Sequence, residues 1–158
     1  MTLGTHATAA TAIGFFIPGP WWLGWTLSFL SHFLLDAIPH YDYDEKRGEK
    51  KPWHFKINEE FTVNVLKITV DLGLGLLIPL AVAFWFNLSY IYILGCAILA
   101  MAPDFLHPIH LIADWKIFRV IQRFHVWIHN PHKIKRPLFG YLQQGLIIIF
   151  FISLIFYF

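Results

Sequence analysis

The chain has 158 residues, room for one compact domain but not for a second of ordinary size. It is 57% hydrophobic and only 14% charged, with 16 Phe, 7 Trp and a mean hydropathy of +0.56. A soluble fold of this size lacks the interior to bury so much apolar surface, and a formal charge of +2 is too small to point to nucleic acid.

The expected fold is therefore all-α: a polytopic transmembrane helical bundle forming a single integral membrane domain over residues 1–158. Met1 to His6 carry no Lys or Arg, so a secretory signal peptide is a poor fit. Cys96 is the only cysteine, so no disulfide forms within the chain.

Four apolar segments follow in order. The first, about 7–38, is interrupted by Pro18-Gly19-Pro20. The piece before the break is too short to cross a hydrocarbon core of about 30 Å, so it reads as a short or re-entrant helix. The piece after it, Trp21 to Ile38, reads as a spanning helix, with Trp21, Trp22 and Trp25 as interfacial anchors. The second segment, about 61–86, is a spanning helix that contains Asp71. The third, about 90–102, is short and packs back after a turn at Asn87-Leu88-Ser89. The fourth, about 138–158, is the last spanning helix.

Two basic stretches, 41–60 and 110–136, separate these segments. The positive-inside rule puts both on the cytoplasmic side of an inner membrane, in a multi-pass topology. Within the second stretch, Ile112 to His129 reads as an amphipathic interfacial helix. Ile117, Ile121, Phe124 and Ile128 share one face, and Lys116, Arg119 and Arg123 another. Lying in the headgroup plane and packing on the bundle are equally weighted readings of it.

The strongest local signal runs from Ser31 to Asp42. His32 and Asp36 are one helical turn apart, Pro39 closes the helix, and His40 and Asp42 follow. Imidazole nitrogen with carboxylate oxygen suits Zn²⁺, Mn²⁺ or Fe²⁺. The plain alternative is a capped helix end with a solvated acidic loop, but a carboxylate ending an apolar segment is costly unless it is used. Asp71 reads either as a partner of Lys67 or as an inward-pointing group that ligates or orients a ligand. Asp104, in Ala102-Pro103-Asp104, ends the second hairpin at the same face, with loop capping as its alternative. His6 arrives there too. His125 and His129, four apart beside the basic face, suit phosphate contact, metal ligation or plain solvation.

His32-x-x-x-Asp36 followed by Pro39-His40, together with Pro103-Asp104, resembles bacterial inner-membrane proteins described as membrane-bound metal-dependent hydrolases. The first element is also similar to the ligand run of zinc-dependent phospholipase C and the single-strand nucleases. In those soluble enzymes the last His lies farther from the Asp, and the N-terminal amino group is a ligand. The resemblance implies hydrolysis of a membrane-embedded phosphate ester, such as a phospholipid, by metal-activated water. One to three ions, Zn²⁺ first, would be held by His6, His32, Asp36, His40, Asp71 and Asp104. Asp42 would act as general base or as a partner of a ligating His, and Arg119, Arg123, His125 and His129 would hold the headgroup. The rival expectations are a non-catalytic metal-binding transporter or sensor, and a structural protein whose His and Asp pair with one another. Membrane lipid is the expected surrounding, nucleic acid is not a partner, and homodimerisation stays open.

Overall fold

A computed structural model of the chain describes residues 1–41, 59–113, 115–129, 134 and 136–158, leaving aside the side chains of 59–61, 64 and 106–113. Asp42 lies outside the described residues. Those described form six helices: α1 (Leu3–Phe16), α2 (Trp21–Asp36), α3 (Glu59–Trp85), α4 (Tyr90–Ala113), α5 (Lys116–Ile128) and α6 (Pro137–Tyr157). No strand occurs among them.

The short first helix is the axis of the bundle. α1 packs against α2, α3, α4 and α6, and almost every residue from Met1 to Gly14 is buried. Its composition explains why four neighbours can approach it. Gly4, Ala7, Thr8, Ala9, Ala10, Thr11 and Ala12 are small on every face, so backbones come close without cavities. The hydroxyls of Thr8 and Thr11 donate to the carbonyls of Gly4 and Ala7, both at 2.7 Å, and so leave no unpaired donor inside. Sequence reading identified a helix too short to span. The structure shows that this same helix is enclosed by the others.

α2 and α4 interlock around it. A Cβ on Gly24 would collide with Tyr92 and one on Gly95 with Trp25, so each glycine makes room for an aromatic ring of the facing helix. Trp25 Nε1 also donates to the carbonyl of Tyr92 at 3.1 Å. Just past the end of α3, Asn87 turns the chain with a φ of 52° while the Leu88 N–H reaches back to the Ala83 carbonyl at 2.8 Å.

Two boundaries differ from the sequence reading. α4 does not stop at Ala102 but continues through Pro103 and Pro108 to Ala113. Proline removes one backbone bond and loosens a turn, and a helix packed on both sides survives that loss. α5 begins at Lys116 rather than Ile112, and its inward face differs too. Ile117 is 60% exposed, whereas His125 is buried. The helix packs on α4 and α2, with Ile121 and Ile128 half-buried and both His125 and Phe124 against Phe33 at ring separations of 6.0 and 5.0 Å.

Val65–Trp85 and Pro137–Tyr157 are long and apolar enough to cross a membrane, and most of each faces outward. α2, expected to span, has 16 residues and a length of about 24 Å. One polar layer cuts across the bundle. Leu3, Asp36, Asp71, Asp104 and Gln144 each lie 13 to 15 residues from the far end of their own helix, about 20–22 Å. That far end is aromatic, with two sets of ring contacts: Trp21, Trp25 and Tyr92 in one, and Phe15, Phe16, Trp85, Phe86, Phe156 and Phe158 in the other.

Candidate metal centre

The polar layer is organised on Asp36, the last residue of α2, which is fully buried. Its Oδ2 lies 2.8 Å from His125 Nε2 and 3.2 Å from His32 Nε2. Its Oδ1 lies 2.7 Å from the Met1 amino group, 3.2 Å from His6 Nε2 and 3.7 Å from His40 Nε2. Four imidazoles thus converge on one carboxylate.

The tautomers follow from the outer side of two rings. His32 Nδ1 is 2.8 Å from the carbonyl of Ala100, and His40 Nδ1 is 2.7 Å from that of Ile38. A carbonyl can only accept, so each Nδ1 carries the proton. In the neutral rings the Nε2 lone pairs then point inward, that of His40 accepting from the Met1 amino group at 2.9 Å and that of His32 facing the Asp36 carboxylate, which also only accepts. Two acceptors at 3.2 Å repel unless a proton or a cation lies between them. Backbone carbonyls orienting imidazoles in this way are a regular feature of metal sites. Ala100 lies in the α4 turn just before Pro103, the proline that sequence reading took for a helix end.

The inner atoms have the spacing of a coordination sphere. Ligands 2.0–2.1 Å from a tetrahedral Zn²⁺ stand about 3.3 Å apart. Between His32 Nε2 and His125 Nε2 the distance is 3.3 Å, and the two distances to Asp36 Oδ2 are 3.2 and 2.8 Å. Asp104 joins these three in a group whose ligand atoms lie within 4.8 Å of one another. A second such group contains Asp36, His40 and His129, whose ring lies 4.7 Å from that of His40. These groups could hold a metal ion.

Each expected ligand can now be placed. His32, Asp36, His40 and Asp104 come together as the spacing and topology suggested. His6 touches Asp36 and stacks on His32 at 4.1 Å, but belongs to neither group, and its buried Nδ1 has no hydrogen-bond partner.

Asp71 does something else. Its two oxygens accept the N–H groups of Leu3 and Gly4 at 2.5 and 3.0 Å, capping a helix whose own Thr2 offers no side-chain cap. No ion pair joins it to Lys67; it holds the start of α1 and stands in neither ligand group. Gln144 completes the arrangement: its oxygen accepts the Thr2 N–H at 2.7 Å and its nitrogen donates to the Tyr41 carbonyl at 2.9 Å. Gln144 has no sequence signature, being one polar residue in an apolar helix.

His125 and His129, expected to hold a headgroup, stand instead at the cluster. Arg119 and Arg123 line a shallow cleft of about 370 Å³ on α5, together with Gln122, Val126 and Trp127. His125 could have been found by extending the four-residue spacing His125-x-x-x-His129 to the Asp36 run, but nothing in the sequence says that α5 folds over α2. No protein-family model, curated protein or solved structure matches the chain, so any functional reading stands on its own residues.

Proposed function

We propose that this chain is a polytopic membrane protein with a centre for two divalent transition-metal ions, Zn²⁺ first, and that it hydrolyses a phosphate ester presented by the bilayer. The observation that carries the reading is the triangle of His32, Asp36 and His125, with edges of 2.8, 3.2 and 3.3 Å and the inward lone pair of His32 fixed by the Ala100 carbonyl. Asp36 offers one oxygen to each of the two ligand groups, which suits a bridging carboxylate. His32, His125 and Asp104 complete one side, and His40 and His129 the other.

The depth of the layer supports a lipid substrate. Asp71 is six residues inside Val65–Trp85 and Gln144 seven residues inside Pro137–Tyr157, about 10 Å below the end of each apolar helix. That is inside the hydrocarbon core of about 30 Å that a 21-residue helix spans, reachable by a substrate that enters from the bilayer, on the cytoplasmic side by the distribution of Lys and Arg. Bound ions would supply polarisation of a phosphoryl oxygen and an activated water. Arg119 and Arg123, on the outward side of α5, would draw in an anionic headgroup.

The deciding experiment is elemental mass spectrometry on protein purified without a metal-affinity tag, followed by phosphoester turnover in lipid nanodiscs. About two equivalents of metal, lost together with turnover in Asp36→Ala, is the expected result. No metal even after incubation with Zn²⁺ or Mn²⁺ would overturn the centre and leave a structural His/Asp network. Metal without turnover of any phosphoester lipid would remove the catalytic half.

A further inference from the structure

We infer that the cleft between α3 and α6 is a binding groove for one chain of a phosphate-bearing bilayer lipid, with Lys67 as the phosphate contact at its outer end. The inference takes from the proposed function only that α3 and α6 cross a bilayer.

The backbones of α3 and α6 do not pack on each other. Each leans on α1 instead, and their rings meet only near the aromatic end, where Trp85 and Phe156 stand 6.3 Å apart. The wedge left between them is a cleft of about 470 Å³, within the range of about 300–1,000 Å³ usual for small-molecule sites.

Its walls are two helical stripes. α3 contributes Leu66, Val70 and Leu74, and α6 contributes Tyr141, Gly145 and Ile148. Repeats of three and four residues keep each stripe on one face. A Cβ on Gly145 would meet nothing within 4 Å, so the groove is open at that level.

The polar groups are ordered along it as a lipid is. Both helices run from the polar layer toward the aromatic end, so Lys67 and Tyr141 are outermost, while Leu74 and Ile148 are deepest. Asp71, Thr2 and Gln144 form the floor between; Gln144 accepts the Thr2 N–H, and Asp71 accepts those of Leu3 and Gly4. Lys67 makes no ion pair or hydrogen bond with any described residue. An ammonium with no partner among the described residues, at the mouth of an apolar slot and one turn outside the level of Asp71, is complementary to a phosphate whose acyl chain lies in the slot. The floor also leads inward, since Thr2 adjoins Met1, whose amino group contacts Asp36.

The test is photo-crosslinking in phosphatidylcholine nanodiscs. The probe is phosphatidylglycerol with a diazirine on one acyl chain, compared with a diacylglycerol carrying the same chain, and labelled peptides are mapped by mass spectrometry. Labelling by phosphatidylglycerol concentrated on 66–74 and 141–148 is expected. Lys67→Gln should lower it about fivefold, and Gly145→Trp should lower it at least as much by filling the slot. Gly145→Leu serves if the larger side chain prevents folding. Even labelling along the outward faces, unchanged by Gly145→Trp or Gly145→Leu, would overturn the groove. Equal labelling by diacylglycerol, with no effect of Lys67→Gln, would overturn the phosphate contact.

Metal content and turnover of water-soluble bis(p-nitrophenyl) phosphate, measured on the same samples, separate the two proposals. Groove labelling in protein without metal keeps this inference and removes the hydrolase. Turnover with even labelling does the reverse.

Discussion

Replacing Asp71 separates a capping role from a ligating one. In Asp71→Ala, the N–H groups of Leu3 and Gly4 lose their only acceptor, because neither has an intrahelical partner at the start of a helix. Loss of an N-cap costs about 1 kcal/mol and up to about 2. Orphaned donors cost about 1–3 kcal/mol each when water is kept away. The carboxylate is half-buried beside an open cleft, which favours the lower end, so about 2–3 kcal/mol is expected in all. Asp71→Asn keeps one acceptor and should lose about 1 kcal/mol. For a chain of this length each kcal/mol moves Tm by about 2–4 °C, so a thermal scan in detergent should show a fall of about 4–12 °C for Asp71→Ala. Metal stoichiometry should stay at the wild-type value. Unchanged Tm with loss of metal would refute the capping argument and restore Asp71 to the ligand set.

Other expectations concern the centre and the axis. His129 belongs to one ligand group only, so His129→Ala should lower the metal content from about two equivalents to about one, whereas Asp36→Ala should remove both; equal losses in the two variants would argue against separate sites. Imidazole ligands must be neutral to bind, so protons compete with Zn²⁺ and affinity should be lower at pH 5.5 than at pH 7.5. A metal titration showing the same affinity at pH 5.5 and 7.5 would exclude His32 and His125 as ligands. Ala10 is fully buried against Ala83, Tyr92, Ile93 and Cys96, and Ala10→Leu should destabilise by about 1–3 kcal/mol in the same thermal scan. A neutral result would mean that α1 is not the tightly packed axis.

Helix content, the apolar segments and the core of the site were written in the local sequence. Period and composition alone marked the break at Pro18-Gly19-Pro20, the two long apolar helices, and the turn of helix that joins His32 to Asp36. Those features depend on neighbours within a few residues, which is the range over which a sequence speaks directly. The hairpin topology did the rest for Asp104, since a chain that leaves one membrane face and returns brings the end of its second arm back to that face.

Direction around a helix axis was less legible. α5 carries apolar residues on more than one face, so its pattern could not say that His125 points inward while Ile117 points out. Pro103 was ambiguous for a related reason. Proline costs a helix one bond, and only packing on both sides decides whether the helix continues or ends. The role of Asp71 depended on another helix altogether. A carboxylate inside an apolar segment must be satisfied, but the sequence does not say whether an ion, a lysine or a helix N-terminus satisfies it. That partner proved to be the start of α1, 67 and 68 positions away in the chain. The sequence by itself determined which groups need partners and at what depth they lie; the tertiary structure alone decided which of them meet, because pairing across helices is set by rotation and packing that no local pattern encodes.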